Sequence, residues 1–156
     1  MRPALIAPLT ALAVVGCGGH AVQIDSKAQP VGGRWNGVLS TPASLAGVTQ
    51  VHGNAWMQRA DKDSAQTLAH VEITNAAPGG RHPWHVHRGQ CGTDLGILGP
   101  PDAYQVLKVG GDGKAKDDAK LPLPLPSAGQ YFVNVHASAQ NMSTIVACGN
   151  LAPPAR

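Results

Sequence analysis

Two histidines separated by one residue are the most chemically informative feature of the sequence. His85 and His87 lie in residues 82–87, which read HPWHVH. On a β-strand, side chains at positions i and i+2 point to the same face, about 6 to 7 Å apart. Two imidazoles at that spacing can reach a common metal ion, while Val86 points the other way into a core. The pair is a candidate half of a metal site; the alternative is two exposed strand histidines.

A third histidine, His136, follows a strand pattern in which Tyr131, Val133 and Val135 share a face. His136 lies on the opposite face of this strand. It could be the third ligand if the two histidine segments are neighbours in the fold. Taken alone, it is more often a surface or hydrogen-bonded histidine than a ligand.

The N-terminus has the pattern of an export signal. A short basic start precedes an almost wholly apolar stretch over residues 4–15, which has the length of a secretory signal and is too short to span a bilayer. The stretch ends in VVGC, which resembles the lipobox of bacterial lipoproteins. That resemblance implies that Cys17 is lipidated and becomes the first mature residue. The alternative is an ordinary signal peptide cleaved nearby, which leaves Cys17 free.

These features divide the chain into three parts. Residues 1–16 are interpreted as a lipoprotein signal peptide, and residues 17–34, Gly-rich and without a hydrophobic period, as a flexible tether. We expect a bacterial periplasmic protein anchored to a membrane. The residue after Cys17 is Gly18 rather than Asp, which by the resemblance to lipoproteins favours the outer membrane.

With Cys17 assigned to the anchor, Cys91 and Cys148 remain as a pair. In an oxidising compartment, such a pair predicts a disulfide. The bridge would tie the segment that carries His85 and His87 to the segment just after His136. It would therefore hold the histidines close together.

Composition and patterning favour a single all-β domain over residues 35–156. The 156 residues include 19 Gly and 13 Pro, which disfavour long helices and suit turns. Segments such as residues 51–57 and 67–74 alternate apolar and polar positions, as half-buried strands do. Seven or eight such strands predict an antiparallel sandwich or barrel. The net charge of +3 is too weak and too scattered for a nucleic-acid binder.

Residues 121–126 read LPLPLP and allow two interpretations. As an edge strand, the run would place its leucines on the core and its prolines along one unpaired edge. As a polyproline-type segment, it would connect two strands.

Taken together, these motifs resemble those of the copper/zinc superoxide dismutase family. Residues 80–91, GRHPWHVHRGQC, are similar to the family's His-Val-His strand with a preceding glycine and histidine and a following glycine and disulfide cysteine. Residues 133–136, VNVH, and 147–149, ACG, resemble its late histidine strand and its second cysteine. The resemblance covers about residues 35–151. It implies an eight-stranded Greek-key barrel or sandwich with copper on its outside.

The resemblance also implies roles for the matching residues. The copper ligands correspond to His85, His87 and His136. The intra-subunit disulfide corresponds to Cys91 and Cys148, and a structural histidine near the site corresponds to His82.

The chain departs from the family pattern at several positions. The loop at residues 91–101, CGTDLGILGPP, lacks the histidine that bridges copper and zinc, and the further zinc histidines are absent. Carboxylates without imidazole partners are more often turn residues, as interpreted for Asp94, Asp102 and Asp112. No zinc site is therefore expected. Ile145 occupies the position of the family's active-site arginine.

Three functions are compatible with this pattern. The first is a copper-only dismutase that acts on superoxide, with Arg81 or Arg88 as the source of positive potential. The second is a non-catalytic periplasmic protein that binds and hands on copper ions, and the third is a structural or adhesive barrel. Met142, in the loop after His136, is a candidate further copper ligand; the alternative is a methionine that packs on the barrel.

Overall fold

The computed structural model describes residues 33–60 and 63–154. The predicted signal peptide, Cys17 and all but the last two residues of the predicted tether lie outside the described residues. Within the described ranges, no helix has the length and apolar character needed to span a bilayer.

Regular structure in the described residues consists of ten β-strands and short 3-10 turns. The strands are β1 (Trp35–Ser40), β2 (His52–Ala60), β3 (Asp63–Thr74), β4 (Arg81–His82), β5 (Trp84–Gln90), β6 (Thr93–Ile97), β7 (Leu107–Lys108), β8 (Ala115–Leu121), β9 (Tyr131–Ser138) and β10 (Asn141–Leu151).

Eight of these strands form one antiparallel sheet in the order β6-β5-β9-β10-β1-β2-β3-β8, and β4 pairs with β7. The consecutive strands β1, β2 and β3 are neighbours, and the last strand, β10, returns to lie beside β1. The sheet curls around one core to which both of its halves contribute. The predicted all-β, eight-stranded fold is confirmed.

The core explains the period-two segments of the sequence. Along β2, Gly53, Ala55 and Met57 are buried while the residues between them are more exposed. The strands β5 and β9 differ because most residues on both of their faces are buried. One face packs into the core through side chains such as Val86 and Val133. The other face carries the histidines.

The Leu-Pro run is a connection rather than an edge strand. Strand β8 ends at Leu121, and the residues that follow it lie outside the strands until β9 begins. Leu123 and Leu125 are half-buried against the core. The backbone carbonyl of Leu123 accepts a hydrogen bond from Thr67 Oγ1, and that of Pro126 accepts one from Trp35 Nε1.

Cys91 and Cys148 form a disulfide that joins residues 57 positions apart, with a Cα to Cα distance of 6.1 Å. Cys91 follows β5, whereas Cys148 lies on β10, and β9 separates these two strands in the sheet. The backbone N–H of Cys91 also donates to Asn150 Oδ1 at 2.8 Å. The bridge therefore fastens the end of β5 across the strand that carries His136.

We predict that replacing both cysteines, Cys91→Ser with Cys148→Ser, lowers the free energy of unfolding by about 4 kcal/mol. The reason is that the unfolded chain regains the conformational entropy that the disulfide removes by linking residues 57 positions apart. Urea unfolding of the oxidised wild type and the double variant measures the difference. Reduced wild type serves as the control and should match the variant, whereas a loss below about 1 kcal/mol would contradict the prediction.

Candidate metal centre

The pairing of β5 with β9 brings the three histidines to one face of the sheet. His85 lies opposite Asn134 and His87 opposite Phe132 in the antiparallel register. His136 is two residues beyond Asn134 and shares its face. The alternate residues of both strands point into the core, so the histidine face is the outer one.

All three imidazoles are nonetheless buried. The exposed fractions are 7% for His85, 3% for His87 and 5% for His136. The loops that follow β1 and β5, together with the first residues of β10, supply walls of a pocket on this side of the sheet. The imidazoles are thus held out of bulk water on the outside of the barrel.

One ring nitrogen of each histidine turns towards the other two. The three potential ligand atoms all lie within 4.8 Å of one another, and His85 Nδ1 is 3.2 Å from His136 Nε2. Nitrogens 3.2 Å apart can both lie about 2 Å from one ion, and the ligand nitrogen of His87 belongs to the same compact group. The group can therefore hold a metal ion.

The outward nitrogens of two histidines have fixed partners. His136 Nδ1 donates to the backbone carbonyl of Met142 at 2.6 Å, and His87 Nδ1 donates to the carboxylate of Asp94 at 3.0 Å. A neutral imidazole that donates from Nδ1 carries its lone pair on Nε2. His87 Nε2 is buried and has no hydrogen-bond partner. A buried lone pair without a donor is what a metal ligand requires, so these residues fit a metal ion.

The electrostatics of the group favour neutral imidazoles. Burial, together with the neighbouring His136 and His87, lowers the pKa of His85 from 6.5 to about 4. Burial likewise lowers the pKa of His136, although its hydrogen bond to Met142 acts in the opposite direction. At neutral pH these imidazoles are unprotonated, and their lone pairs are available to a cation.

His82 supports β9 from behind the site. Its Nδ1 donates to the backbone carbonyl of His136 at 3.0 Å, and the N–H of His136 donates to the carbonyl of Pro83 at 2.8 Å. These two bonds hold the main chain on either side of the His136 Cα. The structure therefore places His82 next to the site, with a contact to the backbone of His136.

The interpretation of Asp94 as a turn residue without an imidazole partner is wrong. A register shift in the β5–β6 hairpin, between His87 and Gly89, accompanies the placement of the Asp94 carboxylate beside His87 Nδ1. Asp112 accepts a bond from the N–H of Lys114, as a turn residue does. Asp102 lies in a 3-10 turn. The one sequence signal for the contact between Asp94 and His87 is their spacing of seven residues, which a short hairpin can bring together.

Tyr104 is a neighbour of the site that sequence reasoning missed. Its ring packs edge-on against His85 with a centroid separation of 5.2 Å and against Trp84 at 5.1 Å. The hydroxyl donates to the carbonyl of Leu98 at 2.6 Å, and burial raises the pKa of Tyr104. Tyr104 therefore fixes the His85 ring from the side of the Pro-rich loop. A single aromatic residue in that loop carries no sequence signal for this contact.

A pocket of about 760 Å³ opens beside His136. Its wall includes Met142, whose side chain is 37% exposed, and Ile145, the register partner of His136. Among the described residues that line it, Asp94 is the acidic side chain, and none is Lys or Arg. Small molecules could reach the group of three histidines from this side.

Comparison of the chain with protein-family models and with curated proteins found no match. The site is therefore interpreted from its own geometry and from the motifs of the sequence.

We predict that the metal-free protein loses stability as the pH falls from about 6.5 to about 4. His85 takes up a proton near pH 6.5 in the unfolded chain but only near pH 4 in the folded protein. The stability that the neutral His85 ring contributes is therefore full above about pH 6.5. It falls as the pH drops from about 6.5 to about 4, and it does not change further below about pH 4. Urea unfolding at a series of pH values checks this.

The variant His85→Gln provides the control for that measurement. Because it lacks the titrating group, its stability should decline less steeply over the same window. A wild-type stability that does not change between pH 6.5 and pH 4 would contradict the prediction.

Proposed function

We propose that the protein binds one copper ion through His85, His87 and His136. The observation that carries the proposal is the buried Nε2 of His87, which lacks a protein partner and belongs to a compact group of imidazole nitrogens. Nitrogen ligands bind Cu(II) more tightly than the other divalent ions of the first transition row. The motif resemblance to copper/zinc superoxide dismutases favours the same metal, and without further imidazoles in the 91–101 loop we expect no zinc site.

The activity that we propose is the dismutation of superoxide to oxygen and hydrogen peroxide. Copper held by three imidazoles supplies one-electron chemistry between Cu(I) and Cu(II). The chain's own residues hold His85 and His136 neutral, fix the outward N–H groups of His87 and His136, and leave an open pocket beside His136. That pocket admits a small anion and the water that would provide protons for peroxide.

Copper binding and transfer without catalysis is the second candidate function. It is favoured by the absence of Lys and Arg from the described lining of the pocket, where the Asp94 carboxylate would repel superoxide. The partly exposed Met142 also lines the pocket. Its thioether is a soft ligand that suits Cu(I).

The sequence pattern at the N-terminus supports a cellular setting for either function. We propose that Cys17 carries a lipid, that residues 17–34 tether the domain, and that the protein works on a bacterial membrane facing the periplasm. Superoxide and copper ions are its proposed partners.

We predict that the protein binds one Cu(II) per chain and that His136→Ala weakens this binding by at least about 100-fold, because one of three ligands is lost. Competition titrations against a chelator, with metal analysis after gel filtration, measure both quantities. His52→Ala is the matched control, since His52 is exposed and lies outside the group. Equal copper affinity of the His136→Ala variant and wild type would contradict the proposed site.

We predict that Ile145→Arg raises the rate of superoxide removal by the copper-loaded protein by about tenfold at low ionic strength. A positive charge in the pocket wall attracts the anion, so added salt should reduce the gain. Stopped-flow measurement of superoxide decay provides the rates, with Ile145→Met as the uncharged control.

The wild-type rate in the same experiment separates the two candidate functions. If copper-loaded wild type removes superoxide no faster than the His136→Ala variant, dismutation is excluded and copper handling remains.

A further inference from the structure

Asp94 is the acidic side chain that contacts the histidine group within the described part of the chain. Both of its carboxylate oxygens lie 3.0 Å from His87 Nδ1. We infer that Asp94 is a positioning residue that fixes the metal-binding tautomer of His87 and shifts the bound copper towards Cu(II). The inference rests on the copper site proposed above and assigns a role to a residue to which the motif resemblance gives none.

The main chain holds the Asp94 carboxylate in place. Oδ1 accepts a second hydrogen bond, from the N–H of Gly96, at 2.7 Å. Gly96 has a φ of 102°, a backbone conformation that glycine adopts without strain. The β6 backbone at Gly96 therefore directs an N–H back onto the carboxylate and leaves its remaining acceptor capacity for His87.

The His87 ring is fixed on a second side by an aromatic contact. It stacks on the buried Phe132 with a centroid separation of 5.1 Å and an interplanar angle of 26°. The stacking sets the plane of the ring, and the bond to Asp94 sets its rotation within that plane. Together they direct Nε2 towards His85 and His136.

His87 also differs from His136 because the acceptor of its Nδ1 hydrogen bond, Asp94, is charged. A carboxylate that accepts from a ligating histidine raises the basicity of the ligating nitrogen. His136 donates instead to the uncharged carbonyl of Met142. A more basic nitrogen stabilises the more highly charged ion, so the Asp94 contact should strengthen Cu(II) binding more than Cu(I) binding.

Three variants separate the charge of Asp94 from its hydrogen bond. Asp94→Asn removes the charge and retains an oxygen that can accept from both N–H groups, whereas Asp94→Ala removes both. Asp102→Asn is the matched control, because Asp102 is an exposed carboxylate in the same β5-to-β7 segment. The Asp94 side chain is half exposed, so the asparagine variant should fold.

The affinities for Cu(II) and Cu(I) are measured separately by competition with chelators specific for each state, together with the Cu(II) electron paramagnetic resonance spectrum. Asp94→Asn should bind Cu(II) about tenfold more weakly and Cu(I) almost unchanged, which corresponds to a rise of about 59 mV in the reduction potential. Asp94→Ala should lose about 10- to 100-fold in Cu(II) affinity. Asp102→Asn should match wild type in every measurement.

Nitrogen-15 NMR of the Cu(I)-loaded wild type, which is diamagnetic, tests the tautomer without any substitution. We expect a proton on His87 Nδ1 and none on Nε2. The opposite tautomer, or Asp94 variants that match Asp102→Asn in Cu(II) affinity and spectrum, would overturn the inference while leaving copper binding intact. Failure of the wild type to bind copper would instead overturn the proposed function and the inference with it.

Discussion

The candidate site depends on the burial of three imidazoles close together on one face of the sheet. Burial in a poorly solvated face disfavours the protonated rings, and it lowers the pKa of both His85 and His136. The neutral rings must then place their N–H groups where acceptors exist. For His87 and His136 the acceptors lie on the outer side of the group, so the lone pairs face inwards. A cation is the natural partner for such an arrangement.

The barrel maintains this arrangement through the pairing of β5 with β9. Each strand sends one face into the core and one into the site, so the packing of Val86 and Val133 also fixes the position of the histidines. The Cys91–Cys148 disulfide ties the end of β5 to β10 on the far side of β9, and His82 Nδ1 bonds to the main chain of β9 at His136. Strand β6, which carries Asp94, completes the site from the edge of the sheet. The strands that carry the histidines are therefore restrained by the core, by the disulfide and by the contact from His82.

Much of this organisation could be predicted from the sequence. The alternation of His85, Val86 and His87 defines a strand with one apolar and one imidazole face, because the period of a strand is two. The all-β class followed from the same alternation elsewhere. The contact between Asp94 and His87 was not predicted, because spacing alone does not reveal the register shift in the hairpin that accompanies it. The Leu-Pro run allowed two structures because the same alternation suits an edge strand and an extended connection.

The central claim is that one metal ion is held by three imidazoles and by no fewer. X-ray absorption spectroscopy at the copper edge of the Cu(I)-loaded protein tests it most directly, because multiple scattering from imidazole rings gives their number. The proposed site predicts three imidazole ligands in wild type and two in the His87→Ala variant. A wild-type spectrum with fewer than three imidazoles, or a spectrum unchanged by His87→Ala, would contradict the assignment of this site.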